Sequence, residues 1–269
     1  MKQILLVNDV VGASHVGMVA MLPILTHQGH AVFNLPTALV SNTLDYGRFN
    51  VLETTAYMRG TLPVWQELGF RFDAVCTGLM FSEEQAQLVA GFCRRSRADG
   101  TRIFVDPIMG DGGRLYNGMG ERQVELMREM VAVADLIFPN YTEACYLTGL
   151  PFSPGGMSRD GAERLLEALH ALGCREALVT SAVVDGGHCV AGRRADGSCF
   201  FLPYTELPLA FHGTGDIFSA VLVGQLLNGS RLQESTQHAM DVVSRLIERN
   251  KHQGDLCRGI PVELCLDLI

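Results

Sequence analysis

Lysine is almost missing from this chain. There are two, Lys2 and Lys251, against nineteen arginines. An enzyme that ties its cofactor to a Schiff base needs a buried lysine. Lys2 opens the first strand and Lys251 lies in a polar C-terminal stretch, so neither is placed for that task. The phosphate loop that depends on lysine, GxxxxGK[ST], is also absent. No two of the eight cysteines form CxxC, and no histidine cluster has zinc spacing. The cysteines sit mostly among apolar residues, as buried free thiols do, which fits a reducing compartment. No apolar run reaches ~18 residues, the length needed to span a bilayer. The start, "MKQILLVND", reads as a strand rather than a leader. A cytoplasmic location is the resulting expectation. A basic stripe is missing too: the net charge is −8, and only "CRRSR" (Arg94, Arg95, Arg97) is locally basic. Those arginines fall late in an expected helix, where cations suit the dipole, so a nucleic-acid partner is not expected.

What is present is a long alternation of strand and helix signals. With 269 residues, 48% of them hydrophobic, the chain can bury one large α/β core or two small ones. We read one domain over 1–269, with no repeat or linker. "QILLVN" (3–8) reads as a strand ending at a polar Asn-Asp pair, followed by a helix that Gly29 stops. "HAVFNL" is a second strand, and 49–69 is helical with a break at Pro63. "DAVCTG" is a strand, and Ser82 caps a helix to about Ala98. Strands follow at 101–106, 135–140 and 176–181, with helices at 119–134, 141–148 and 158–172. "HCVAGRRADGSCFFLPY" reads as two strands around Ala195-Asp196-Gly197. Helices near 214–228, 231–250 and 261–267 close the chain. This order predicts a mainly parallel, doubly wound sheet with helices on both faces. Ligands of such sheets lie at the carboxyl ends of the strands. The polar residues there are Asn8, Asp9, Thr77, Asp106, Asn140 with Glu143, and Thr180.

Three short stretches carry chemistry. In "HGTGDIFSAVLVGQLL", Gly213, Thr214, Gly215 and Asp216 open an apolar helix. The first amides of a helix have no internal partner and carry about half a positive charge, and glycine lets an anion approach them. A carboxylate beside an anion site makes sense if it takes a proton from a hydroxyl that attacks a phosphoryl group. It also makes sense as an early-helix acid complementing the dipole; both readings stand on this motif alone. The dinucleotide pattern GxGxxG fails at Phe218. In "VDPIMGDGGRLY" (105–116), Asp106 ends a strand before a loop of Gly110, Gly112 and Gly113. A strand-end carboxylate can hold Mg²⁺ through water, and Asp-Pro is equally ordinary turn chemistry. In "FPNYTEACYLTG", Asn140 and Glu143 flank a strand–helix junction; Glu143 faces a site or serves as a first-turn acid.

Taken in order, "NDVVGASHVGMVA", "LPTALVSN", "TGLMFSEEQ", "DPIMGDGGRLY", "PNYTEACYLTG", "VTS" and "GTGDIFSA" resemble the pyridoxal/pyridoxamine kinase family of the ribokinase-like superfamily. The resemblance implies a three-layer αβα fold with a mainly parallel central sheet and no large β-lid. It implies Mg-ATP-dependent phosphorylation of the 5′-hydroxyl of a vitamin B6 compound, in a dimer that often responds to K⁺. By position, Asp216 matches the catalytic base, and the amides of Gly213, Thr214, Gly215 and Asp216 match the anion hole. Asp106 and Glu143 match residues near the ATP phosphates and metal-bound water. Asn140 belongs to the same motif, and Thr180 falls at a nucleotide contact. Asp9 falls where the ring is held; Thr37, Leu44 and Asp45 fall in the segment that closes over it. The chain reads "SNTLDYG" (41–47) where the family commonly reads SNHTGY, and "NDVVGASH" where near relatives read NDLSGFGR. The first difference bears on the choice of vitamer. His15, in the second, is read as a helix residue or a substrate contact. A hydroxymethylpyrimidine kinase of the same fold, and a non-catalytic B6 or nucleotide carrier, are the alternatives to a B6 kinase.

Overall fold

The apolar run at the start of the chain becomes β1 (Gln3–Val11), where residues 4–7 are buried on both faces. Such a run belongs to a parallel strand covered on both sides. The computed structural model describes every residue except Gly118, so the 110–118 loop is described apart from that residue. In chain order come α1 (Met18–His27), β2 (Ala31–Val40), β3 (Val51–Glu53), α2 (Thr55–Glu67) and β4 (Ala74–Thr77). Then follow α3 (Glu83–Ala98), β5 (Arg102–Val105), β6 (Gly110–Asp111), β7 (Arg114–Leu115), α4 (Glu121–Val131), β8 (Leu136–Ile137), α5 (Tyr141–Thr148) and α6 (Arg159–Ala171). The chain ends with β9 (Glu176–Val184), β10 (Gly187–Arg193), β11 (Cys199–Pro203), α7 (Thr214–Leu227) and α8 (Leu232–Asn250). The fold is mixed α/β with a mainly parallel central sheet, as the alternation predicts.

Two compact units are distinguished: Met1–Phe81 with Leu207–Ile269, and Ser82–Glu206. In the first, β1 lies between β4 and β2, parallel to both, and β3 adds antiparallel to β2. The β1–β2 register slips between Asn8 and Val10, where Asn8 faces Pro36. Proline has no N–H to give the ladder, and a bulge re-aims the side chains beside it. The slip falls at Asp9. Helix α7 is apolar around its whole circumference, with residues 217–224 buried, and packs on α1 and α8. In the second unit β8 is parallel to β5 and β9, and β9, β10 and β11 run antiparallel. The Ser82 hydroxyl accepts from the Gln85 amide and caps α3.

Several boundaries differ from the expectation. The segment 49–69 holds a short strand before its helix, which starts only at Thr55. Residues 51–53 pair with 38–40, so sheet pairing overrides local helix preference there. The expected helix at 261–267 is a pair of 3₁₀ turns, Val262–Leu264 and Leu266–Leu268, too short to nucleate an α-helix. His15 precedes α1 and is not a helix residue; its backbone bridges to Gly259, and its Nδ1 lies 3.4 Å from Glu263 Oε1. All eight cysteines are free thiols, six of them buried. Among the described residues no helix is long and apolar enough to cross a membrane.

Candidate active site

In the first unit, Asp216 sits in the first turn of α7, behind Gly213 at the N-cap. The two glycines of this turn are needed for different reasons. Gly213 has φ +81°, and a Cβ there would stand 2.6 Å from the His15 carbonyl oxygen. That position admits no other residue without strain. Gly215 has open space beyond its Cα, with no atom within 4 Å of a would-be Cβ. The amide of Ile217 already donates to the Gly213 carbonyl at 3.0 Å, whereas the amides of 214–216 precede the first helical bond. Thr214 Oγ1 turns back to the Phe211 carbonyl at 3.3 Å.

The carboxylate of Asp216 is held at both oxygens. The Gly17 amide donates to Oδ2 at 2.8 Å, and the Asn8 side-chain amide to Oδ1 at 3.3 Å. Burial pushes the Asp216 carboxyl up to about 6, against the pull of those two hydrogen bonds. Asp9 is buried close by, and its carboxyl is pushed up to about 7, first by burial and then by the charge of Asp216. An acid poised near neutrality with an open helix start beside it suits proton abstraction. Thr37 is buried on β2. Leu44 and Asp45 lie on a 3₁₀ turn, Leu44–Tyr46. Asp45 Oδ2 is 3.4 Å from His212 Nδ1, next to Gly213. Tyr46 donates its hydroxyl proton to Asp255 at 2.5 Å, so the turn is tied down at two points.

In the second unit, Asn140 and Glu143 form a reciprocal cap at the start of α5. The Glu143 amide donates to Asn140 Oδ1 at 3.0 Å, and the Asn140 amide to Glu143 Oε2 at 2.9 Å. This is the two-way satisfaction of orphan helix donors. Glu143 Oε1 also accepts from the Met109 amide at 3.0 Å and the Gly110 amide at 3.5 Å. Asn140 Nδ2 donates to the Gly110 carbonyl at 2.8 Å, and the Gly113 amide donates to Thr142 Oγ1 at 2.8 Å. The loop after Asp106 is therefore strapped to α5 at three places. Glu143 is buried, which raises its carboxyl, and the three amides oppose that shift. Thr180 joins the same junction, its amide donating to the Pro139 carbonyl at 2.9 Å. The following Ser181 has φ +53°, a strained setting for a residue with a side chain. A cavity of about 130 Å³ lies between the loop and this junction, lined in part by Asp111, Gly112, Thr142 and Ser181.

Within the first unit, Asp9, Gly213, Thr214, Gly215 and Asp216 gather around one helix start, and Asp45 reaches its entrance through His212. Within the second, Asn140, Glu143 and Thr180 meet at one strand–helix junction. Sequence reasoning marked Asn8 only as a polar residue at a strand end and did not single out Gly17 or Gly78. The signal for Asn8 was its place at a strand end; Gly17 and Gly78 matter only because of what approaches them in space.

Asp106 and Glu143 are carboxylates of the type that holds Mg²⁺ through water together with substrate phosphates. Among the described residues no three His, Cys, Asp or Glu side chains gather as a metal cluster. Glu143 already accepts three backbone N–H bonds. Mg²⁺ keeps several waters and is often held by one or two carboxylates plus substrate phosphates.

The phosphomethylpyrimidine kinase family model matches residues 16–260. The pyridoxal kinase PdxY of Rubrobacter xylanophilus is 30% identical over 268 residues, covering 93% of this chain and 88% of that protein. A Bacteroides thetaiotaomicron structure described as a phosphomethylpyrimidine kinase, in a form with pyridoxal, superimposes with TM-score 0.93 at 32% identity, over 99% of this chain and 95% of that one. Pyridoxal kinase from Leishmania donovani in complex with ADP and pyridoxine gives TM-score 0.83 at 26% identity, over 98% and 94%. The chain belongs to the phosphomethylpyrimidine kinase family, in which the pyridoxal kinases are among its relatives. It is a kinase.

Proposed function

We propose that this kinase transfers the γ-phosphoryl group of ATP to the 5′-hydroxymethyl group of a vitamin B6 vitamer. The observation that carries the reading is the carboxylate of Asp216, gripped at 2.8 and 3.3 Å and set at a helix start whose amides are open. The hydroxyl proton of the acceptor passes to Asp216 as its oxygen bonds to phosphorus. The bond from phosphorus to the β–γ bridging oxygen breaks, and ADP leaves. The amides at 213–216 face the charge on the migrating group; electrostatic positioning is most of what phosphoryl transfer requires. Asp9 is assigned to the ring, with Thr37, Leu44 and Asp45 in the covering segment. In the second unit Asp106, Asn140, Glu143 and Thr180 are assigned to the nucleotide. Asp106 and Glu143 would hold Mg²⁺ through water, and the ion would neutralise phosphate charge. On this reading residues 1–269 work as one kinase domain, located in the cytoplasm and responsive to K⁺.

Two relatives support the substrate: one solved with pyridoxal, the other with ADP and pyridoxine. The family model supports a second reading, a hydroxymethylpyrimidine kinase. A coupled assay offering Mg-ATP with pyridoxal, pyridoxamine, pyridoxine and hydroxymethylpyrimidine decides between them. Turnover of the pyrimidine alone would overturn the B6 reading. Binding of a vitamer with no ATP consumption would make the protein a carrier.

We assign a homodimer to the same reading. Edge strand β3, helix α2 and its C-cap residue expose Leu52, Tyr57, Val64 and Leu68, each at least half exposed. An exposed apolar edge of this kind is a surface that a second copy can cover. Light scattering that gives the monomer mass at micromolar concentration would remove this assignment.

A further inference from the structure

Asn8 is buried to 1% exposure beside the register slip within β1. Its amide has one consistent orientation. Oδ1 accepts from two backbone donors, the amides of Asp9 and Leu79, each at 3.0 Å. A backbone N–H can only donate, so the oxygen must face them. The Nδ2 group is left pointing the other way, toward Asp216 Oδ1 at 3.3 Å and the sulfur of Met21 at 3.6 Å. Gly78 seals the arrangement: a Cβ there would stand 2.4–2.6 Å from the Asn8 amide atoms. On the other oxygen of Asp216, Gly17 donates from a backbone at φ +57°. A Cβ at Gly17 would press within 2.7 Å of Asp9 Oδ1.

We propose that Asn8 is a positioning residue for the base, holding the Asp216 carboxylate ionised and in one rotamer through a donor whose own orientation is locked by the backbone. The proposal rests on the assignment of Asp216 as base. It explains why a partly buried carboxylate stays usable with another carboxylate, Asp9, beside it. Two fixed donors favour the charged form that burial opposes. Asp9 is the charged neighbour from β1; α7 carries no other titratable group, β4 brings Cys76, and α1 has only His27 in its last turn.

The informative variant is Asn8→Asp. It keeps an oxygen for the Asp9 and Leu79 amides and replaces the donor to Asp216 with a second carboxyl. In pyridoxal turnover we expect kcat to fall about 10- to 10²-fold, the worth of one hydrogen bond to a charged group. KM should stay within a few-fold. The acid limb of the kcat profile should move to higher pH, because the two carboxyls resist joint ionisation. A wild-type kcat with an unmoved pH limb would overturn the proposal. So would a loss confined to KM. A second measurement needs neither activity nor this variant. In the wild-type protein the Asn8 side-chain NH₂ resonances should titrate together with the Asp216 carboxyl, and should cease to do so in Asp216→Asn. Resonances indifferent to Asp216 would end the proposal. Full turnover by Asp216→Asn would instead remove the base assignment, while leaving this coupling to be read from the resonances.

Discussion

Asp216 and Glu143 occupy the same place in two helices. Each is the third residue after its N-cap; Glu143 is buried and Asp216 partly buried, and loss of solvent raises the carboxyl of each. Their side chains nevertheless do opposite things. Behind Glu143 stands Asn140, whose side chain and backbone complete a reciprocal cap, so the carboxylate is spent on three amides. Behind Asp216 stands Gly213, which has no side chain to trade. The Asp216 carboxylate is therefore left to Gly17 and Asn8, with the first amides of α7 open beside it. One residue at the N-cap separates a carboxylate engaged by its own helix start from one held by distant donors.

The sharpest way to break that comparison is to neutralise each acid in turn. Asp216→Asn keeps the shape, and we expect kcat to drop ~10²-fold or more with KM within a few-fold. Its thermal midpoint should stay level or rise, since a partly desolvated charge is gone. Glu143→Ala should lower the thermal midpoint, and its place in the proposed nucleotide site should raise the KM for ATP as well. It strips partners from the amides of Met109 and Asn140, at a cost of about 2–4 kcal/mol in urea unfolding. If both variants lose activity at unchanged stability, the distinction between the two acids is wrong.

The two glycines of the α7 turn offer a finer cut. Gly213→Ala forces a methyl against the His15 carbonyl at positive φ and should lose roughly 1–3 kcal/mol. Gly215→Ala meets no atom and should fold as well as the parent, or slightly better. Its methyl would stand over the open amides, so we expect about a tenfold loss of turnover. Equal unfolding midpoints for the two variants would show that the turn is looser than described.

pH separates the neighbouring carboxyls. A base that titrates near 6 must be deprotonated to act, so kcat/KM should rise with pH through about 6 and then level. A flat profile from pH 5 to 8 would deny Asp216 that role. The stability effect of Asp9 is the smallest we expect. Its folded value of about 7 lies above the ordinary 3.8, so the folded chain holds a proton that the unfolded chain has already released. Stability therefore declines as pH rises through that window, and the penalty is complete above about 7. Asp9→Asn should raise the unfolding free energy at pH 8 by about 1 kcal/mol or more and change little at pH 4. A gain that is the same at both pH values would assign it to packing instead.

Much of the site was legible because it is built from short segments. "HGTGD" announced a helix start, whereas the capping box of "NYTE" went unread although Asn140 and Glu143 stand only three apart. Ser82 and Gln85 announced the start of α3 as "HGTGD" did that of α7. The helix expected at 261–267 failed because its apolar residues suit 3₁₀ turns equally well, and no local signal separates the two. The strand at 51–53 failed because its pairing partner lies a dozen residues away.

Residue order along the chain was enough to settle the alternation of strand and helix, the glycine-lined opening of α7 and the identity of its acid, since those follow from backbone sterics and nearest-neighbour hydrogen bonds. Which acid would be held by its own helix start and which by distant donors was decided only when the chain folded. Asn8 and Gly17 reach Asp216 across 208 and 199 residues. Contacts over such separations leave no periodicity in the sequence, because they exist only where packing brings distant backbone together.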